Sequence, residues 1–187
     1  MEIINIMCAI HQLSDESKKR LESLMTERAY PKGHHLINLW QVPIHFNFIV
    51  KGAGRVYYLR DGQDISDYLA LDMSFVGAVP ALFTGEPSHK AVELLEDSIV
   101  QSFVYKDFEK LCDENLEIGT LGRKLAVAAV LQGQKRIEDL RFLSAAERYH
   151  ELLNKYPGIT NRISLKHLAS YLGTTQVSLS RIRGGKQ

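Results

Sequence analysis

The sequence predicts an α+β chain: an N-terminal antiparallel jelly roll (a double-stranded β-helix), then a long helix, then a C-terminal helix-turn-helix. Three observations predict it. Short apolar, aromatic and β-branched runs separated by turn residues fill the stretch from Leu36 to about Tyr105. A helical pattern from about Asn115 to Leu140 is apolar nearly all round at its centre, Ala126-Val-Ala-Ala-Val-Leu131. The C-terminal stretch Ser164–Arg183 reads as two short helices joined by a tight turn.

Ser14-Asp15-Glu16 opens an amphipathic helix that carries Leu21, Leu24 and Met25 and is expected to reach Ala29. Its Lys18-Lys19-Arg20 run reads as a solvated face. Strands are expected around Phe46–Val50, Arg55–Leu59, Ser66–Leu71 and Ile99–Tyr105, with hairpin turns at Lys51-Gly52-Ala53-Gly54 and Asp61-Gly62. Tyr57, Tyr58, Tyr68 and Phe75 are read as roll core, and Trp40 as packing. The long helix then brings Leu116, Leu121, Leu125, Ala128, Leu131 and Ile137. A helix apolar on every side must be covered on more than one side. One face can pack on the roll; the other is expected to meet the same helix of a second subunit, with Leu121, Leu125, Ala128 and Leu131 at the dimer interface. Ser144 with Glu147 three residues on is a capping-box pattern, and Pro157-Gly158 ends the helix that follows. These elements divide the chain into residues 1–141, the roll with its flanking helices and a dimerisation helix at about 115–140, and residues 142–187, the helix-turn-helix domain.

In that last unit Ser164 is an N-cap ahead of Leu165, Leu168, Ala169 and Leu172, which share one helical face. Gly173 ends the helix where a left-handed conformation is needed. Thr174 and Thr175 can cap the second helix, whose Val177, Leu179 and Ile182 are expected to face back toward the first. A plain αα-hairpin has the same outline. The residual polar face favours DNA, because Thr175, Gln176, Ser178, Arg181 and Arg183 include no acid. Groove readers need such residues: Arg for guanine, Gln for adenine, hydroxyls for phosphate or base. Thr175, Gln176, Ser178 and Arg181 are therefore candidate DNA-binding residues, with Ser164 and Lys166 as phosphate positioners.

With 45% hydrophobic and 24% charged residues, the composition is that of a soluble globular protein. No apolar run is long enough to span a membrane, the N-terminus lacks a signal-peptide layout, and Cys8 and Cys112 are the only cysteines, so a cytoplasmic location is expected. The net charge of +1 hides a partition: residues 61–122 hold three Lys/Arg and thirteen Asp/Glu, and residues 123–187 hold twelve and four. A basic end that coincides with a helix-turn-helix reads as a DNA-binding module attached to a domain that should not bind DNA. Neither an enzyme nor a metal site is expected. His34 and His35 are adjacent, so on a strand they point to opposite faces and, with His45 and His89 elsewhere, do not make a cupin-type metal site.

Helix, roll, long helix and helix-turn-helix in this order resemble the Crp/Fnr family of bacterial transcription regulators. Phe48-Ile-Val-Lys-Gly52, Gly54-Arg-Val-Tyr-Tyr58, Ser74-Phe-Val-Gly77, Tyr105-Lys-Asp-Phe108, Phe142-Leu-Ser-Ala-Ala-Glu-Arg148 and the terminal motif carry the resemblance. Glu147-Arg-Tyr-His-Glu-Leu-Leu-Asn-Lys-Tyr-Pro157 and Leu179-Ser-Arg-Ile-Arg183 look most like the branch found in Bacteroidetes-type bacteria. The resemblance implies a homodimer, paired recognition helices on near-palindromic double-stranded DNA, RNA polymerase as a partner, and a sensory roll that often holds a cyclic nucleotide.

In cyclic-nucleotide binders of this type the phosphate cassette opens with Gly-Glu and closes with an Arg followed by Ser or Thr. Here Gly77 is kept, but Ala78 stands at the Glu position, Ser88 at the Arg and His89 at the hydroxyl, and no arginine occurs between Asp61 and Gly122. Gly133-Gln134 stands where a Thr-Ser pair on the long helix reaches the purine. A buried phosphate without its counter-charge costs on the order of several kcal/mol, so ordinary cyclic-AMP binding is not expected. Gly77, Ala78, Ser88, His89 and Lys90 remain the candidate pocket for an unidentified small-molecule effector, unless the roll is closed by its own side chains. No cofactor is expected. Val177 stands where the family usually has a Glu, whereas Arg181 matches the family's base-reading Arg, and Gly158–Ile163 leaves room for only a minimal wing. A small-molecule sensor with no sequence-specific DNA role is the alternative.

Overall fold

The computed structural model describes residues 1–185. Two helices, α1 (Glu2–Ile10) and α2 (Asp15–Leu24), precede the roll. Ser14 caps α2 through the Ser17 amide. The helix stops short of Ala29, because Thr26–Tyr30 is a strand, β1, paired along its length with β8 (Ser98–Val104). Glu, Arg and Ala carry no strand signal; here a ready-made ladder partner overrides local preference.

The other strands are β2 (His35–Ile37), β3 (His45–Lys51), β4 (Gly54–Arg60), β5 (Gln63–Ala70), β6 (Ser74–Val76) and β7 (Lys90–Leu94), with helix α3 (Val79–Thr84) between the last two. They form two four-stranded antiparallel sheets, β1-β8-β3-β6 and β2-β7-β4-β5. Ile37, Ile49, Val56, Val92, Leu94 and Val100 make one apolar cluster of the roll. Asp61-Gly62 is the expected hairpin turn, with φ of 51° and 74°, the doubly positive geometry that matches strand twist. Lys51–Gly54 is not a hairpin, since β3 and β4 lie in different sheets. The chain crosses over at Gly52, where φ is 126° and an added Cβ would sit 2.1 Å from Ser98 Oγ. Only glycine fits that corner.

Helix α4 (Tyr105–Glu114) leads into α5 (Leu116–Phe142), whose 27 residues run about 40 Å. Ile118 and Leu121 are fully buried with Phe48, Phe103, Ile3, Met7 and Leu21 in a second core. Leu121 is therefore taken up by its own subunit and leaves nothing for a dimer interface, and Leu125 is half-buried at the edge of the same cluster. Beyond it α5 is bare: Val127, Val130 and Leu131 are 50%, 62% and 63% exposed. No helix of the described residues is long and apolar enough to cross a membrane.

Helices α6 (Ala145–Lys155), α7 (Ile159–Arg162), α8 (Leu165–Tyr171) and α9 (Gln176–Arg183) follow. The Ser144–Glu147 capping box forms as expected. The minimal wing does not: Gly158, at φ 80°, turns the chain into the single helical turn α7, and no described residue after Val104 lies in a strand.

Candidate nucleic-acid interface

The turn between α8 and α9 is closed by backbone chemistry. Gly173 adopts φ 67°, the Thr174 amide donates to Ala169 O at 2.9 Å, and the Gly173 amide donates to Ser170 O at 3.1 Å. This pair of bonds is the Schellman arrangement, which needs a left-handed residue at its bend. Ser164 Oγ accepts the His167 amide and Thr175 Oγ1 accepts the Ser178 amide, so both helices start capped. Leu168, Ala169, Leu172 and Leu179 are buried between them.

On α9, Leu179 is fully buried and Ile182 half-buried, which sets the inward direction. At 100° per residue, Val177 and Arg181 each stand about 160° from Leu179 and point outward. Val177 is 62% exposed, so it does not face α8, contrary to the expectation drawn from its apolar side chain. Ser180, Arg181, Gln176 and Arg183 are exposed as well. Ser178 is half-buried on the flank, and the Thr175 hydroxyl donates to it at 3.0 Å, so this pair serves the cap first. The outer centre of the helix is therefore Val177 and Arg181, with Ser180 exposed on the flank. The angle from Leu179 alone places Val177 there.

The motif is fastened on two sides. From α5, Arg136 donates to Tyr171 O and lies over the Tyr171 ring at 3.9 Å. From α6, Arg148 donates to Leu172 O at 2.7 Å and also to Leu143 O. The roll supplies the other side. Arg162 reaches Asp72 at 2.6 Å, Glu96 at 2.5 Å and Gly52 O at 2.9 Å. Lys166 pairs with Asp64 at 2.7 Å, and the Ser66 amide donates to Ser170 Oγ at 2.8 Å. Ala53, Leu69, Leu71 and Leu95 of the roll join the apolar cluster of the terminal helices.

At the centre of this junction Arg55, buried, donates to Glu93 at 2.8 Å, to Asp64 at 2.7 Å and to His167 Nδ1 at 2.9 Å. An arginine can only donate, so His167 must present a lone pair at Nδ1. Burial and the Arg55 charge together hold the imidazole below its usual pKa. Burial opposes ionisation of Asp64, yet the Lys166 and Arg55 hydrogen bonds hold its carboxyl below the ordinary carboxylate value. The Arg162 hydrogen bonds do the same for Asp72.

This junction corrects the reading of the charge partition. Arg136, Arg148, Arg162 and Lys166 of the basic end are engaged by backbone carbonyls or by carboxylates of the roll. Of the expected phosphate positioners, Lys166 is paired with Asp64, and Ser164 lines a recess at the same junction together with Arg162 and His167.

The expected effector residues are only partly brought together. Ala78, Ser88, His89 and Lys90 line a recess of about 160 Å³ beside α3, and Gly77 does not line it. Ser88 is buried, its hydroxyl donating to Lys90 O and accepting the Lys90 amide. Lys90, the sole Lys or Arg of the cassette, pairs with Asp67 at 2.6 Å. Tyr68 OH accepts a hydrogen bond from Gln132 of α5. Phe75 packs against Phe46 and Phe48 as core, whereas Trp40 is 72% exposed with φ 65° and is not packing. His34 stacks on Tyr30, and His35 bonds Tyr57 OH at 3.0 Å.

No protein-family model matches the chain, and no curated protein matches it. Solved structures do. FixK2 from Bradyrhizobium japonicum is 20% identical with a TM-score of 0.72, covering 86% of this chain and 83% of that one. The c-di-GMP-responsive global regulator CLP of Xanthomonas campestris is 13% identical with a TM-score of 0.68, covering 92% and 91%. A protein from Eubacterium rectale assigned as a Crp/Fnr transcriptional regulator is 17% identical with a TM-score of 0.68, covering 91% and 82%. The chain thus has the fold of Crp/Fnr-type regulators, as the order of its elements predicted.

Proposed function

We propose that the chain is a DNA-binding transcription regulator of the Crp/Fnr type, acting as a homodimer. The observation that carries the reading is the outward face of α9: bare, free of acid, bearing Arg181, on a helix-turn-helix fastened from both sides. Arg181 is suited to bidentate contact with a guanine, and Gln176 is exposed at the start of the same helix. Residues 142–187 form the DNA-reading unit and residues 1–141 the unit that positions it. The exposed Val127, Ala128, Val130 and Leu131 support pairing of α5 with its copy. Such a dimer would present two recognition helices to half-sites about one DNA turn apart. Ser164 and Lys166 would take backbone phosphates once Lys166 leaves Asp64, so docking on the roll and phosphate contact compete for one ammonium.

The roll does not take cyclic AMP in the usual way. Ala78 offers no ribose contact, and the only cation of the cassette is already held by Asp67. An effector of other chemistry would act by binding one arrangement of the terminal helices better than another.

Selection by the full-length protein from randomised duplexes at moderate salt tests the reading, with enrichment of a near-palindrome expected. Arg181→Ala should cost about 1–3 kcal/mol on the selected site and much less on random duplex. Equal loss on both would reduce Arg181 to a phosphate contact. Absence of any enriched site would favour a sensor without a sequence-specific DNA role.

A further inference from the structure

We propose that Val177 reads the C5-methyl group of a thymine in the major groove, next to the guanine taken by Arg181. The inference rests on the DNA-reading role assigned to α9. Among the described residues after Leu143, Val177 is the one large apolar side chain that is exposed, at 62%. Leu152, Ile159, Ile163, Leu168, Leu172 and Leu179 are all buried. A small domain that hides its other large aliphatics yet holds one bare valine at the outer centre of its recognition helix has placed it where it cannot serve folding.

The position suits a base contact. Val177 is the second residue of α9, and the N-terminal part of a recognition helix is the part that meets base edges. Arg181, four residues on, shares its face, with Cβ atoms about 5–6 Å apart. That spacing spans roughly one to two base-pair steps of about 3.4 Å. The arginines supply the attraction to the phosphates, and no acid on the helix opposes it.

The chemistry then narrows the base. Valine neither donates nor accepts, and the thymine methyl is the one apolar group on the major-groove edges of the four bases. An acid at this position would accept from cytosine N4; valine cannot. Each half-site should therefore hold a thymine within two base pairs of the guanine.

The test uses the duplex enriched by the full-length protein, with thymines of one half-site replaced singly by deoxyuridine, which lacks only the methyl group. One exchange near the guanine should weaken wild-type binding about fourfold, the worth of one buried methyl. Val177→Ser, which puts a hydroxyl in place of the methyl groups, should bind the thymine duplex more weakly and no longer favour thymine over deoxyuridine there. Because the side chain is exposed, this variant keeps its fold, which circular dichroism would verify. Indifference of the wild type to every exchange, or an undiminished preference for thymine in Val177→Ser, overturns the inference and leaves DNA reading intact. Failure to enrich any duplex removes both, and it shows at the selection step before any base is exchanged.

Discussion

Replacing Arg162 by alanine should loosen the terminal helices from the roll while each part keeps its own secondary structure. The guanidinium binds Asp72 through two nitrogens at 2.6 and 3.0 Å, meets Glu96 at 2.5 Å, and also donates to Gly52 O at 2.9 Å. A charge-assisted hydrogen bond is worth about 1.5–3 kcal/mol when well shielded. These side chains are 29%, 45% and 31% exposed for Arg162, Asp72 and Glu96, so solvent screening takes much of that away. Removing the arginine also leaves two carboxylates facing each other. The net loss works out at about 2 kcal/mol, or roughly a thirtyfold rise in the undocked population. The Ser66 amide is the natural reporter. It sits beside a register shift in the β4–β5 ladder and donates across the junction to Ser170 Oγ. Hydrogen exchange at Ser66 should quicken about thirtyfold in Arg162→Ala, whereas amides of β3 and β8 keep their protection. An unchanged Ser66 rate in a folded variant would refute the reasoning that these charges hold the two parts together.

The same junction should respond to acid in two windows. His167 has its folded pKa below the free value of 6.5, so the unfolded form binds the extra proton. Docking is therefore complete above about pH 6.5 and weakens as pH falls through the lower folded value, because a third cation then joins Arg55 and Lys166 against only Asp64 and Glu93. Asp64 and Asp72, held below 3.8, add a further loss only in stronger acid. Exchange at Ser66 followed from pH 7.5 to 5 should show the first window in the wild type, and His167→Gln should flatten it; an identical profile in both would exclude the imidazole. For the proposed dimer, Leu131→Lys removes about 1.5–3 kcal/mol of apolar burial per copy and adds a buried charge. Sedimentation equilibrium should then show monomer at concentrations where the wild type is dimeric, and an unchanged mass would take α5 out of the interface. Leu121→Lys should instead unfold the subunit.

Why some features were legible in the sequence and others were not follows from what each depends on. The order of roll, long helix and helix-turn-helix rests on periodicity and caps, which are local, and Ser144, Ser164, Thr175 and Gly173 act as read. Strand β1 depends on β8, some seventy residues away, and Thr26–Tyr30 holds no trace of that partner. Val177 is apolar and so reads as inward by residue type, whereas its angle from Leu179 turns it outward. A count of charges along the chain cannot say which face solvent and which face each other. Arg162 and Lys166 belong to the roll's carboxylates, and Arg136 and Arg148 to the carbonyls at the C-terminal end of α8. With these four engaged, the salt dependence of the proposed DNA binding should be shallower than twelve basic residues would suggest. The four act as fasteners of the terminal helices. A change in the roll at Asp64 therefore reaches α8 directly through Lys166, one at Asp72 or Glu96 reaches α7 through Arg162, and one at Glu93 reaches His167 through Arg55, with no need of a path along α5.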